Sequence, residues 1–274
     1  MRTMTKLKFN IVFIAVVAAI VFLNQAHDES ESQKNQAANS AQQNQATAQP
    51  PASKPANRQT TSKISNWPML DEDAGEKALA ENLLAKNYYF VIDGSGSMHN
   101  IDCSGHYTKM EAAKIALIEF ARNIPTDANI GVVAFDRNGT SERMPLQLNN
   151  AAAFSDAVRM VSYGGGTPLN SSINIALDKI TEQGRKQLGY GEYNIIIVTD
   201  GAASEGEDPT SLVNEIINDS PILVHTIGFC LDENHSLNQP GRTYYKAANN
   251  IESLQQGLGE ILAESEQFTV TDFQ

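Results

Sequence analysis

The stretch FVIDGSGSMH, residues 90–99, decides how the rest of the chain is read. Tyr88–Ile92 (YYFVI) is a short aromatic and β-branched run, the pattern of a buried strand. It stops at a carboxylate, Asp93, and continues with two hydroxyls on alternate positions, Ser95 and Ser97, spaced by glycines. A tight loop of that kind can direct three oxygens toward one point, because the glycines relax the backbone. Two further donors, a Thr and an Asp, would have to come from distant segments.

Reading outward, the elements alternate. Thr108-Lys-Met-Glu111 is a capping box that opens a helix whose apolar face holds Met110, Leu117, Ile118, Ala121 and Ile124. Asn129–Asp136 (NIGVVAFD) reads as a second buried strand, Asn138-Gly139 as a hairpin turn, and Glu142–Leu148 as the returning strand. A helix over Ala151–Val161 leads to Gly164-Gly-Gly-Thr-Pro168. Pro168 fits a first helical turn and Thr167 the N-cap before it, with the helix running toward Gly184. Tyr193–Thr199 (YNIIIVT) is the most apolar strand and therefore central. Residues 209–218 read as a helix, Ile222–Phe229 as a strand, Thr243–Ala247 as a weaker strand and Ile251–Glu266 as a closing helix. Ahead of the first strand, Asp71–Lys86 reads as a lead-in helix, with acids first and a lysine last.

This succession predicts an α/β fold: a doubly wound, mostly parallel open sheet with one antiparallel hairpin edge strand and helices on both faces. Ligands of such sheets bind beyond the carboxyl ends of the strands. Asp93 and Asp200 each stand directly after a strand, so both belong to one rim.

Asp93-Gly94-Ser95-Gly96-Ser97, then Thr167, then Thr199-Asp200-Gly201, together resemble the metal-ion-dependent adhesion site of von Willebrand factor type A domains. The resemblance spans about residues 87–265. It implies a Mg²⁺ or Mn²⁺ ion touched by Ser95, Ser97 and at times Thr167, with Asp93 and Asp200 acting largely through waters. It also implies binding without turnover: one coordination position stays open for an Asp or Glu of a protein partner. The chemistry is consistent, since Mg²⁺ wants about six oxygens in near-octahedral array. Neutral hydroxyls close to the ion leave its field poorly screened. Thr167 at a helix N-terminus would add a dipole that favours an incoming anion.

Composition sets the address. The chain has 274 residues and a formal net charge of −12, and its first 23 residues hold three cations and no acid, leaving −15 for the rest. So acidic a domain should repel nucleic acid, which is excluded as a partner class, and anionic lipid. Phe9–Leu23 is uncharged and follows a basic start. Residues 1–26 therefore read as a signal anchor or signal peptide. The anchor is favoured because Asn24-Gln25-Ala26 puts Asn where a cleavage site wants a small residue. Cations ahead of the span keep the N-terminus cytosolic and export the remainder to the periplasmic or extracellular side. Residues 27–66, rich in Gln, Ala, Ser and Pro, lack a hydrophobic period and read as a disordered tether. The globular domain is assigned to 67–266 and a tail to 267–274.

Cys103 lies in the loop after the first strand and Cys230 just beyond another strand, so a disulfide between them would lie on the same rim. Two unbridged thiols are the alternative. His99, His106, His225 and His235 make no ligand pair at useful spacing. Glu205, Glu207 and Asp208 read either as a solvated loop or as a specificity rim, and Trp67-Pro68 as packing at the start of the domain. Two other function classes stay open. One is a phosphatase-type hydrolase using Asp93, although such enzymes place a general-acid Asp where this chain has Ser95, and neither a Gly-x-Ser-x-Gly elbow nor a P-loop lysine occurs. The other is a metal-independent envelope scaffold.

Overall fold

A computed structural model describes residues 67–68, 78–231 and 233–266. Among the described residues six strands and five α-helices follow one another: β1 (Lys86–Asp93), α1 (Lys109–Ala121), β2 (Asn129–Asp136), β3 (Gly139–Leu148), α2 (Ala151–Met160), α3 (Leu169–Lys186), β4 (Glu192–Thr199), α4 (Thr210–Asp219), β5 (Leu223–Phe229), β6 (Tyr244–Ala248) and α5 (Ile251–Glu266). They form one sheet in the order β3-β2-β1-β4-β5-β6. All neighbours run parallel except β2 and β3. The doubly wound α/β fold with an antiparallel edge is therefore the fold observed. Chain direction reverses its winding between β1 and β4, which puts the crevice for a ligand at the carboxyl ends of those two strands.

β1, β2 and β4 are apolar along nearly their whole length because both of their faces are covered. Alternate residues serve opposite layers. Tyr88, Phe90 and Ile92 pack with α1, α2 and α5, whereas Tyr89 and Val91 pack with α3 and α4. β3 has the mixed exposure of an edge and carries Pro145, a residue that only an edge tolerates. Its hairpin closes at Gly139, whose φ of +87° requires glycine.

Two expectations need correction. Ala78–Ala85, the described part of the predicted lead-in helix, is not helical but a turn closed by Asn82, whose side chain accepts the Leu84 amide. Leu79 and Leu84 are exposed there, so no apolar face is buried to stabilise a helix. At α3 the N-cap is Pro168, one residue later than predicted, and Thr167 lies just outside the helix. Trp67 does pack the start of the domain. Its ring meets Tyr193 edge-on at 4.7 Å and lies on Gly184, where a side chain would collide with it.

Among the described residues no helix is long and apolar enough to cross a membrane. The assigned anchor, tether and tail (1–26, 27–66 and 267–274) lie outside them.

His225 on β5 is buried, stacks on Tyr244 and meets the Asn194 side chain at 3.1 Å. Burial pushes its imidazole down to about 4, so folding favours the neutral ring. The unfolded chain then binds the extra proton as pH falls below 6.5, and stability declines with it. From pH 7 to about 5 the expected loss is about 2 kcal/mol. Denaturation midpoints across that range should fall more steeply for the natural protein than for His225→Phe; parallel curves would contradict this.

Candidate functional site

The site forms where β1 and β4 end side by side. Asp93 closes β1 and is fully buried. The backbone turns sharply after it, so the Ser95 amide donates to one Asp93 carboxylate oxygen at 2.7 Å. The Thr199 hydroxyl, at the end of β4, donates to the other at 2.6 Å. A 3-10 turn over Gly96–His99 then brings Ser97 back toward β4. Its hydroxyl lies 3.0 Å from that of Ser95 and donates to Asp200 Oδ1 at 2.7 Å. Four of the five predicted residues, Asp93, Ser95, Ser97 and Asp200, are thus joined in one hydrogen-bonded cluster with Thr199.

Thr167 arrives on a separate loop that is bonded to the first. Gly96 donates its amide to the Gly165 carbonyl at 3.1 Å, and Gly164 donates to the Gly94 carbonyl at 2.8 Å. The Thr167 backbone is pinned from the β4 side as well, since its amide donates to Ser204 Oγ at 2.8 Å and its carbonyl accepts the Ser204 amide at 3.0 Å. It is 8% exposed and has a place on the same rim.

Sequence reasoning missed four residues that shape this rim. Lys109, in the first turn of α1, is buried, and its ammonium reaches Asp200 Oδ2 at 3.1 Å. The exposed Asp102 carboxylate lies 3.6 Å from the same ammonium. Ser204 is the second. Glu207 is the third, and within its acidic cluster it has a structural role: its carboxylate accepts the Ser171 amide at 2.8 Å and the Ser171 hydroxyl at 2.7 Å, capping α3, while Glu205 and Asp208 are exposed. Pro168 has no side chain to do so. The N-terminal dipole of α3 is therefore already met by an anion, and the expectation that it attracts an incoming one is withdrawn. His235 is the fourth. Its Nδ1 accepts the Leu237 amide, which leaves Nε2–H to donate to the Gly201 carbonyl at 3.0 Å and hold the loop after Asp200.

Charge balance at the rim is uneven. Three buried carboxylates stand there: Asp93, Asp136 and Asp200. Asp136 has Arg143 at 3.0 Å and Asp200 has Lys109. Among the described residues Asp93 is met only by dipoles. Burial pushes its carboxyl up to about 6, against the pull of the Ser95 and Thr199 hydrogen bonds, and Asp200 adds a further upward push. An all-oxygen rim with one uncompensated buried carboxylate has the donor chemistry of a hard divalent cation. Among the described residues no cluster of three or more His, Cys, Asp or Glu could hold a metal by itself, so any such site here depends on hydroxyls.

Cys103 and Cys230 are bonded, with Cα atoms 5.8 Å apart. The bridge joins the loop that leads into Lys109 to the end of β5, on the rim as expected. The His99 and Tyr163 rings meet at a tilt, their centroids 4.6 Å apart.

Comparison with known proteins agrees with this geometry. The family model for the von Willebrand factor type A domain matches residues 87–273. Protein sll0103 of Synechocystis is 24% identical over 147 residues, 53% of this chain, and the match spans only 32% of that relative's length. Among solved structures, BatB from Bacteroides thetaiotaomicron superposes with a TM-score of 0.54 at 16% identity, covering 66% of this chain and 98% of that one. Proximal thread matrix protein 1 from the mussel byssus, in a form with zinc occupying its adhesion-site motif, gives 0.53 at 15% identity, covering 65% and 47%. Such distant likeness speaks to the fold, and the family match covers well over half the chain: this protein belongs to the von Willebrand factor type A domain family.

Proposed function

We propose that this chain is a membrane-tethered, exported interaction module that binds a protein partner through a divalent cation, Mg²⁺ or Mn²⁺, held at the β1/β4 rim. Asp93, Ser95, Ser97, Thr167 and Asp200 would hold the ion, which would offer a Lewis-acidic position to an Asp or Glu of the partner. The observation that carries this reading is the Asp93–Ser95–Ser97–Asp200 cluster, which contains a buried carboxylate without a cation. A zinc-occupied site of the same type in the mussel byssus protein supports a cation-binding role.

Hydrolysis fits less well. Both Asp93 oxygens are engaged by donors and the side chain is buried, so it is poorly placed for in-line attack on a phosphate ester. Export and tethering rest on residues 1–66 and on a disulfide that suits an oxidising compartment. Pull-down from an envelope extract tests the function. A protein partner should be retained with Mg²⁺, released by EDTA, and lost with Asp93→Asn. Retention that ignores EDTA would favour the metal-independent scaffold.

A further inference from the structure

A cleft of about 340 Å³ opens beside the rim between α1 and the end of α2, with Lys114, Arg137, Arg159, Met160 and Tyr163 among its walls. Its charge is opposite to that of the molecule, which carries 32 acids against 20 Lys and Arg. Glu111 is the one acid in the lining, and it is occupied with the Thr108 cap. Neither Arg137 nor Lys114 makes an ion pair among the described residues: Lys114 donates to the Arg159 carbonyl at 2.8 Å and feels the charges of Glu111 and Asp136 only at longer range, and Arg137 lies over the Tyr163 ring at 5.9 Å. Arg159 is bridged to the exposed Asp156.

The cleft is continuous with the rim. Tyr163 precedes Gly164 and Gly165, the two residues bonded to the Asp93–Ser97 loop, and its ring meets that of His99, two residues past Ser97, at a tilt. Met160 and Tyr163 are 73% and 40% exposed, an apolar margin that a bound chain could cover.

We propose that this cleft reads the acidic residues flanking the partner carboxylate, so that the ligand is an acidic peptide segment rather than a lone Asp or Glu. The inference rests on the carboxylate-binding role given above. The partner's main chain crosses the His99–Tyr163 ring pair, and its next acidic side chains meet Lys114 and Arg137. Arg137 makes no ion pair among the described residues and Lys114 feels Glu111 and Asp136 only beyond ion-pair distance, so both lose little on engaging a ligand, whereas a bridged cation must first give up its partner.

The test is fluorescence anisotropy with the full-length chain and two labelled peptides, Gly-Asp-Gly-Gly-Gly and Gly-Asp-Gly-Glu-Glu, with Mg²⁺ or with EDTA. The second peptide should bind about tenfold more tightly, as expected for two partly exposed pairs. That advantage should vanish in Lys114→Glu/Arg137→Glu while Mg²⁺ uptake and binding of the first peptide stay unchanged. It should survive in Arg122→Glu/Lys186→Glu, which changes net charge equally elsewhere. Equal affinity of the natural protein for both peptides, an advantage that outlasts the first double substitution, or no binding of either peptide would overturn the inference. Binding that ignores EDTA yet disappears in Lys114→Glu/Arg137→Glu would keep the cleft and sink the cation reading instead.

Discussion

Asp200→Ala is expected to destabilise the metal-free protein by about 3–5 kcal/mol, because it strands a buried ammonium. Lys109 is nearly covered, and its carboxylate partner on β4 is only 3.1 Å away. The second carboxylate near it, Asp102, is 3.6 Å off and largely in water, where it screens poorly. Lys109→Met in the same chain should recover most of the loss, since an apolar chain of similar length fills the space without needing a counter-charge. A double-mutant cycle by urea denaturation measures this coupling directly. Additive effects of Asp200→Ala and Lys109→Met would mean that the ammonium is solvated and the pair counts for little.

The other large effect is expected at Gly94. A Cβ there would lie 2.5 Å from the Ser162 carbonyl oxygen, 2.6 Å from that of Phe135 and 2.8 Å from Asp136 Cβ. Two of the three obstacles are backbone, so no rotamer change relieves them. The Gly94 amide also donates to the Phe135 carbonyl at 2.7 Å, which fixes the close approach. Gly94→Ala should therefore cost about 3 kcal/mol, the upper end for overpacking, and Gly94→Val more. Gly206→Ala is the useful comparison: its φ of +80° brings backbone strain, but nothing lies within 4 Å of the added carbon. That change should cost only about 1 kcal/mol. A Gly94 variant as stable as the Gly206 variant would show that the loop can move away from β2, and the fixed geometry assigned to Ser95 and Ser97 would be wrong.

These two sites also separate what the sequence announces from what it conceals. The Asp93–Ser97 loop is visible because strand, carboxylate, hydroxyls and glycines are contiguous. Strand β2 is visible for the same reason, and the Thr108–Glu111 capping box forms as written. Lys109 looks like an ordinary solvated lysine in a first helical turn, since its partner is 91 residues away. Glu207 is hidden in the same manner: it caps a helix that begins well upstream, across 36 residues from Ser171. Local propensity also misplaces the chain where no tertiary surface supports it. Asp71–Lys86 has the spacing of a helix, yet residues 78–85, its described end, lie in turns whose backbone is bonded to Lys186 and Gln187 while Leu79 and Leu84 stay exposed, so no apolar face supports a helix. Charge balance at the rim is invisible in one dimension for a related reason. Only the fold gives Asp136 and Asp200 their cations and, among the described residues, leaves Asp93 without one.

The protein's role turns on whether that last carboxylate and its neighbouring hydroxyls hold a cation. Isothermal titration of the EDTA-stripped, full-length chain with Mg²⁺ and with Mn²⁺ measures it most directly. Uptake of one ion per chain, abolished by Asp93→Asn and weakened by Ser97→Ala, is the result expected. No uptake of either metal at millimolar concentration, or uptake that both substitutions leave intact, would contradict it.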